Sequence, residues 1–346
     1  MWRWRKYKSP QTLPGPLPPA TLLIPVRNEA LHLARCLDSL VAQAHLPEKI
    51  LILDDGSEDK TPFIAQYYAQ RYPFIVYQRL PAPISGKKAA LQMGLQVVNS
   101  PIVITTDGDT VHEQDTIRKL LLPFCDEQVQ AVGGWVKLRA EPTLLNALQR
   151  IEMAGILRLT AGSWSRDFPL TANGAILAYR RAAFEAVGGW GAAQIHPSGD
   201  DDILVQRIYA RFGAKAISFS EAVVETEPAP SWRALIHQRL RWLSKRSAYP
   251  LPFTPWLLRG IALTQMSLII ALMLMPLLGA TAWIVLGVIQ ARFAYKAIRW
   301  MRSPSPPLWQ WIVVILIYPF YLTLIGLWAI LHPSFEWKGR TYSTLS

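Results

Sequence analysis

Two cysteines, Cys36 and Cys125, are all the thiols the 346 residues hold. They exclude a disulfide framework and offer no metal-ligand spacing, which suits a reducing compartment. Acidic residues are missing from Pro228 to Phe335, a stretch with ten Lys or Arg. Charge of either sign is missing between Arg259 and Arg292 and again between Arg302 and Glu336. Each gap exceeds the roughly 20 apolar residues a helix needs to span a bilayer. No GxGxxG or Walker sequence occurs, which argues against a dinucleotide enzyme or a P-loop ATPase. Met1–Lys8 lacks the apolar core of about 7–15 residues that marks a signal peptide. It interleaves Trp2, Trp4 and Tyr7 with four basic residues, which reads as an interfacial anchor ahead of an extended Pro10–Pro19 linker.

What is present is apolar and basic, with 51% hydrophobic residues and a net charge of +12. Residues 21–227 hold 20 basic and 23 acidic residues, so the excess positive charge flanks the apolar segments. That distribution fits a multi-pass protein of the cell (inner) membrane whose 21–250 domain is cytoplasmic, and it excludes nucleic acid as a partner. The 1–20 segment precedes that domain, a 251–335 membrane region with two or three helices follows it, and 336–346 is a tail. Ile261–Ile289 would measure about 43 Å as one helix against a core of roughly 30 Å, so Pro276 is expected to split it into a hairpin. A further span over Leu308–Leu331 would then leave Lys338 and Arg340 outside, unless a break at Pro319 or a re-entrant segment returns them.

The 21–250 region alternates strand and helix patterns, which predicts a doubly wound, mostly parallel α/β sheet. Thr21–Pro25 is a strand, followed by a helix with Leu33, Leu37, Leu40 and Val41 on its apolar face. Lys49–Leu53 is a second strand, running into Asp54-Asp55-Gly56-Ser57, with a helix from about Thr61 to Tyr68. Ile102–Thr106 is a third, running into Asp107-Gly108-Asp109, with Gly108 read as a sharp turn. The loops after these strands should crowd one sheet edge, where open α/β sheets hold ligands. Asp107 and Asp109 could share Mg²⁺ or Mn²⁺, or could form a plain Asp-Gly turn. Gly86-Lys87 at the start of a helix over Ala89–Val97 offers free N–H groups and an ammonium to a diphosphate, although surface lysines are common.

Taken together, Ile24-Pro25-Val26-Arg27-Asn28-Glu29, Asp54-Asp55-Gly56-Ser57, Gly86-Lys87 and Asp107-Gly108-Asp109 resemble the nucleotide-sugar half of family-2 glycosyltransferases, which have the GT-A fold. Ala172-Asn173-Gly174-Ala175 with Tyr179-Arg180-Arg181, then Gly199-Asp200-Asp201-Asp202, then Gln238-Arg239-Leu240-Arg241-Trp242 extend the likeness over about 21–245. Trp337-Lys338-Gly339-Arg340 looks like the tail of membrane-bound members. The sequence departs from the pattern at Asp200, where many relatives have Glu, and in having no N-terminal membrane helix.

The resemblance implies an inverting, metal-dependent enzyme that moves a sugar from a nucleotide-diphosphate donor, a UDP-sugar, to a lipid or lipid-linked acceptor. Pro25, Arg27, Asn28, Glu29 and Asp55 or Asp54 would bracket the nucleoside, and Asn173 and Gly174 would line the substrate site. Asp54 could equally cap its own turn. Asp109 would hold the metal, Asp107 would contact the ribose or the metal, and Lys87 would face the diphosphate. Asp201 would take the acceptor's proton, with Asp200 and Asp202 as neighbours whose crowded charges favour a base near neutral pH. The same acids could simply start a helix over Ile203–Tyr209. Gln238, Arg241 and Trp242 share a helical face at i, i+3 and i+4, and serve either the diphosphate site or an interfacial belt. A processive polysaccharide synthase and a non-catalytic nucleotide-binding scaffold are the competing functions.

Overall fold

Leu22, Leu23 and Ile24 are fully buried in strand β1 (Ala20–Val26), so both of its faces are covered, as an unbroken apolar run requires. The computed structural model describes residues 16–196, 198–245, 248–331 and 334–343. The expected anchor at Met1–Lys8, most of the Pro-rich linker and Arg246 lie outside the described residues. Two compact units emerge, one of residues up to 136 with 160–227, the other of 137–159 with 228–346.

The first unit is built on a mixed sheet. β1 pairs in parallel with β2 (Lys49–Asp54) on one side and β4 (Ile102–Thr105) on the other, and β3 (Ile75–Arg79) extends it beyond β2. β7 (Leu177–Arg180) then runs antiparallel to β4, and β6 (Ala131–Leu138), β8 (Ile217–Thr226) and the short β5 (Val111–His112) complete the order β3-β2-β1-β4-β7-β6-β8-β5. The parallel strands put the residues after Val26, Asp54 and Thr105 on one edge, as expected. Because β7 is antiparallel and Leu177 faces Thr105, the residues just before it reach the same edge. Arg180 faces Ile102 at the opposite end.

Helix α1 (Leu33–Val41) buries Leu33, Cys36, Leu37 and Leu40; Cys36 takes the place expected for Val41, which is only half-buried. Helices α2 (Thr61–Arg71) and α3 (Lys87–Val97) follow β2 and β3, and α7 (Asp202–Phe212) follows the acidic loop. The α/β sheet expected from the strand–helix alternation is present, and it is of the GT-A type that the family resemblance implied.

In the second unit, helix α8 (Trp232–Ser244) is capped by Ser231, whose hydroxyl accepts the Ala234 N–H. Three helices, α9 (Phe253–Leu274), α10 (Pro276–Trp300) and α11 (Leu308–Leu331), are long and apolar enough to cross a membrane. They turn large apolar side chains outward, among them Leu263, Met273, Leu277, Leu324 and Ile330, which water would not favour. The long apolar run is divided at Met275–Pro276, where Pro276 sits at the first turn of α10.

No break occurs at Pro319, one of the two arrangements the sequence left open. Proline leaves the carbonyl four residues earlier without its helical donor. That carbonyl, on Ile315, accepts the indole N–H of Trp283 on α10 at 3.0 Å, and α11 continues unbroken. After α11, β9 (Ser334–Trp337) and β10 (Arg340–Ser343) form a hairpin whose turn residues, Lys338 and Gly339, both have positive φ. The hairpin packs on α8 through Phe335 and Leu240, and the Glu336 N–H donates to His237 Nδ1.

Candidate active site

The edge of the first unit is assembled from six loops. The β1 loop is laced to the β2 loop: the Asn28 N–H donates to Ser57 Oγ, the Glu58 N–H to Asn28 Oδ1, and the Glu29 N–H to Thr61 Oγ1. Asn28 takes φ +52°, a conformation asparagine tolerates when its side chain bonds locally. Its side-chain oxygen is therefore engaged in loop architecture. Arg27 donates to the carbonyls of Asp55 and Gly56, at 2.7 and 3.2 Å. Pro25 lies in β1 opposite Leu53, and Glu29 is buried beside Gly108.

The neighbouring acids Asp54 and Asp55 have different environments. Asp54 is fully buried, and its carboxylate accepts the Ser57 N–H and the Tyr77 hydroxyl, both at 2.8 Å. Burial and the Asp54 hydrogen bond push the Tyr77 phenol up to about 12, so it remains a donor. Asp55 Oδ1 accepts the Gly86 N–H at 2.8 Å, which ties the β2 loop to the residue preceding Lys87.

Asp107 and Asp109 sit just past β4, both half-buried. Gly108 lies in the expected turn, closed by the Thr110 N–H donating to the Asp107 carbonyl at 3.3 Å, but it has no positive φ, so the turn does not depend on glycine's conformational freedom. What its position requires is the lack of a side chain, because a Cβ would lie 2.9 Å from Val26 Cγ1. Thr106 anchors this loop: its hydroxyl donates to the Ala175 carbonyl at 2.9 Å and meets His112 Nε2 at 3.0 Å. The single hydroxyl proton goes to Ala175, so Nε2 carries the imidazole proton. Burial pushes His112 down to about 3, which keeps the ring neutral.

Lys87 crosses the centre of the edge. Its ammonium pairs with Asp107 Oδ1 at 2.8 Å and Asp200 Oδ2 at 2.9 Å. Burial works against its charge, but the two carboxylates outweigh it and raise its pKa above the ordinary value. Gly174 backs onto this pair, and a Cβ there would lie 2.9 Å from Asp200 Oδ2 and 3.0 Å from Lys87 Nζ.

The three adjacent acids have different partners. Asp200 turns to Lys87, and Asp202 Oδ1 accepts the Ile203 N–H. Asp201 caps α7, accepting the Asp202 N–H at 2.7 Å and the Gly174 N–H at 2.9 Å. Asn173 Oδ1 accepts the Ala175 N–H, so its amide shapes this same loop. Arg180 and Arg181, by contrast, donate to backbone carbonyls such as Val129 and Val98 at the far end of β7.

Gln238, Arg241 and Trp242 belong to the second unit and share one continuous helix there. Arg241 lies over Trp337, 5.1 Å from its centroid, and Arg239 lies 4.2 Å over Trp242. Arg239 is itself buried, donates to Gln238 Oε1, and pairs with Glu152 on α5 (Leu144–Trp164) through Nε at 3.0 Å. Sequence reading missed Glu152, a lone acid 87 residues from its partner; an acid within an apolar helix pattern was the available signal.

Mg²⁺ and Mn²⁺ ordinarily take one or two carboxylates, the rest of their oxygens coming from water and phosphate. Among the described residues, no group of three or more His, Cys, Asp and Glu could hold a metal. Asp107 and Asp109 offer two carboxylates, the number such an ion ordinarily takes from protein.

The pattern described as glycosyltransferase like family 2 matches residues 18–244. A probable glycosyltransferase, YdaM, of Bacillus subtilis is 28% identical over 65% of this chain and 54% of its own length. The beta-monoglucosyldiacylglycerol synthase of Synechocystis is 29% identical over 66% of this chain and 47% of its own. The chain thus spans about half the length of these two relatives. Among solved structures, the mannosyltransferase PcManGT of Pyrobaculum calidifontis, in complex with GDP-Man and Mn²⁺, superposes with a TM-score of 0.59 at 22% identity, covering 95% of this chain and 89% of that one. The match to 18–244, over a GT-A-type sheet whose edge carries these acids, makes the chain a member of the family-2 glycosyltransferases.

Proposed function

We propose that the protein transfers a sugar, with inversion, from a UDP-sugar to a lipid or lipid-linked acceptor at the cytoplasmic face of a membrane. Residues 21–250 act as the catalytic domain and 251–335 as the membrane region. The observation that carries this reading is the convergence of Asp55, Lys87, Asp107 and Asp201 on one sheet edge through six loops. The glycolipid synthase among the relatives supports a lipid acceptor, and the outward apolar faces of α9–α11 keep such an acceptor close.

Asp55 accepts a base N–H, while Asp54 stays engaged in its turn. Lys87 faces the diphosphate, whose charge grows as the bond to the anomeric carbon breaks. A divalent cation held by Asp107 and Asp109 supplies Lewis-acid neutralisation of that leaving group when bound. Asp201, fixed by two backbone N–H groups, takes the proton of the acceptor hydroxyl as its oxygen bonds to the anomeric carbon. Gln238, Arg241 and Trp242, together on one helix of the second unit, have the chemistry to take phosphate oxygens and a sugar face.

A thermal-shift screen of UDP- and GDP-sugars with Mn²⁺, followed by transfer of label from the stabilising donor to extracted lipid, tests the reading. Stabilisation by a UDP-sugar and a labelled glycolipid are expected. No response to any nucleotide sugar would refute it, and label in long polymer would favour a processive synthase.

A further inference from the structure

Lys87 and Lys88 open α3 and reach into one loop. Lys88 is buried, and its ammonium donates to the carbonyls of Ala193 and Ser198. Lys87 reaches Asp200, two residues beyond Ser198, at 2.9 Å. Asp200 is nearly buried, and its carbonyl accepts the Trp190 indole N–H, so its backbone is fixed independently of its carboxylate. Lys87 also holds Asp107, one of the two acids suited to a cation. A divalent ion arriving at Asp107 would compete with that ammonium for the same oxygens and repel it.

We infer that Asp200 is a positioning residue acting through Lys87: it retains the ammonium at the diphosphate edge when Asp107 turns to another cation. Lys87 therefore has two counter-charges, one exchanged on donor binding and one permanent. Gly174, which leaves no room for a side chain against the pair, keeps the ammonium and Asp200 in register. Asp201 serves the acceptor and Asp200 the donor, so adjacent carboxylates have separable effects. This inference rests on the donor reading above.

The test measures binding of UDP and GDP to the full chain in detergent with Mn²⁺ by calorimetry. Losing one charge-assisted contact should weaken binding about 10- to 100-fold in Asp200→Asn, and similarly in Lys87→Met. Asp200→Glu should restore most of the affinity. The Lys87→Met/Asp200→Asn double variant, which removes both charges together and so avoids a stranded ion, should bind no more weakly than Lys87→Met alone. Additive losses, or wild-type affinity in Asp200→Asn, would overturn the inference while leaving the donor reading intact. Failure of the wild-type chain to bind either nucleotide would overturn both.

Discussion

The Trp283 indole N–H donates at 3.0 Å to the Ile315 carbonyl, the group that Pro319 deprives of its helical donor. Trp283→Phe should leave that carbonyl unsatisfied in an apolar bundle and lower stability by about 1 kcal/mol. Pro319→Ala restores a backbone N–H, so the same Trp283 substitution should cost less in that background. Thermal unfolding of the four variants checks this; equal costs in both backgrounds would mean the indole bond contributes nothing.

Metal dependence is expected if the two half-buried acids after β4 hold the cation proposed for them. Transfer should stop in chelator and resume with Mg²⁺ or Mn²⁺, and Asp109→Ala should reduce it severely. Full turnover in excess chelator would contradict the proposed role of the acids.

Asp201→Asn retains the shape of the α7 cap but cannot take a proton. Turnover should fall on the order of 10²–10⁴-fold, the usual range for loss of a general base. Nucleotide-sugar affinity should change little, because the interaction lost is made in the transition state. If Asp202→Asn were the inactive variant instead, the role would pass to that neighbour.

His112 gives a pH dependence of stability. Its folded value of about 3 lies below the ordinary 6.5, so the unfolded chain takes up the proton first. The contribution is complete above about pH 6.5 and declines as pH falls towards 3, by at most roughly 1.4 kcal/mol per pH unit. His112→Gln should unfold with a shallower pH dependence between pH 6.5 and 5 in parallel thermal melts. Superimposable slopes would show that the buried ring is not the group responsible.

The strand–acid units were legible because an unbroken apolar run ending in Asp carries its own boundary, as in Ile102–Asp109. Asp54's role was left open by sequence because its decisive partner, the Tyr77 hydroxyl, comes from the adjacent strand. The same limit hid the Lys87–Asp200 pair and the burial of Arg239 against Glu152: each depends on a non-local approach that periodicity does not encode. Gly108 stands in the turn its sequence implies, but glycine is required there because a neighbour leaves no space for Cβ, a non-local contact the sequence does not display. Pro319 carries a helix-breaking signal locally, and only a donor from another helix cancels it.

The β9–β10 hairpin follows the last apolar helix, yet it rests on α8, which precedes the first. An odd number of complete traverses would deliver those two flanks to different solutions, where Leu240 and Phe335 could not meet. If the region enters a bilayer with the contact intact, complete traverses among α9, α10 and α11 would number two or none, and at least one helix would enter without exiting or lie along the surface. In a background without Cys36 and Cys125, Arg233→Cys and Thr341→Cys should therefore react with an impermeant thiol reagent from the same side. Labelling from opposite sides would mean that the hairpin and α8 part company in the bilayer.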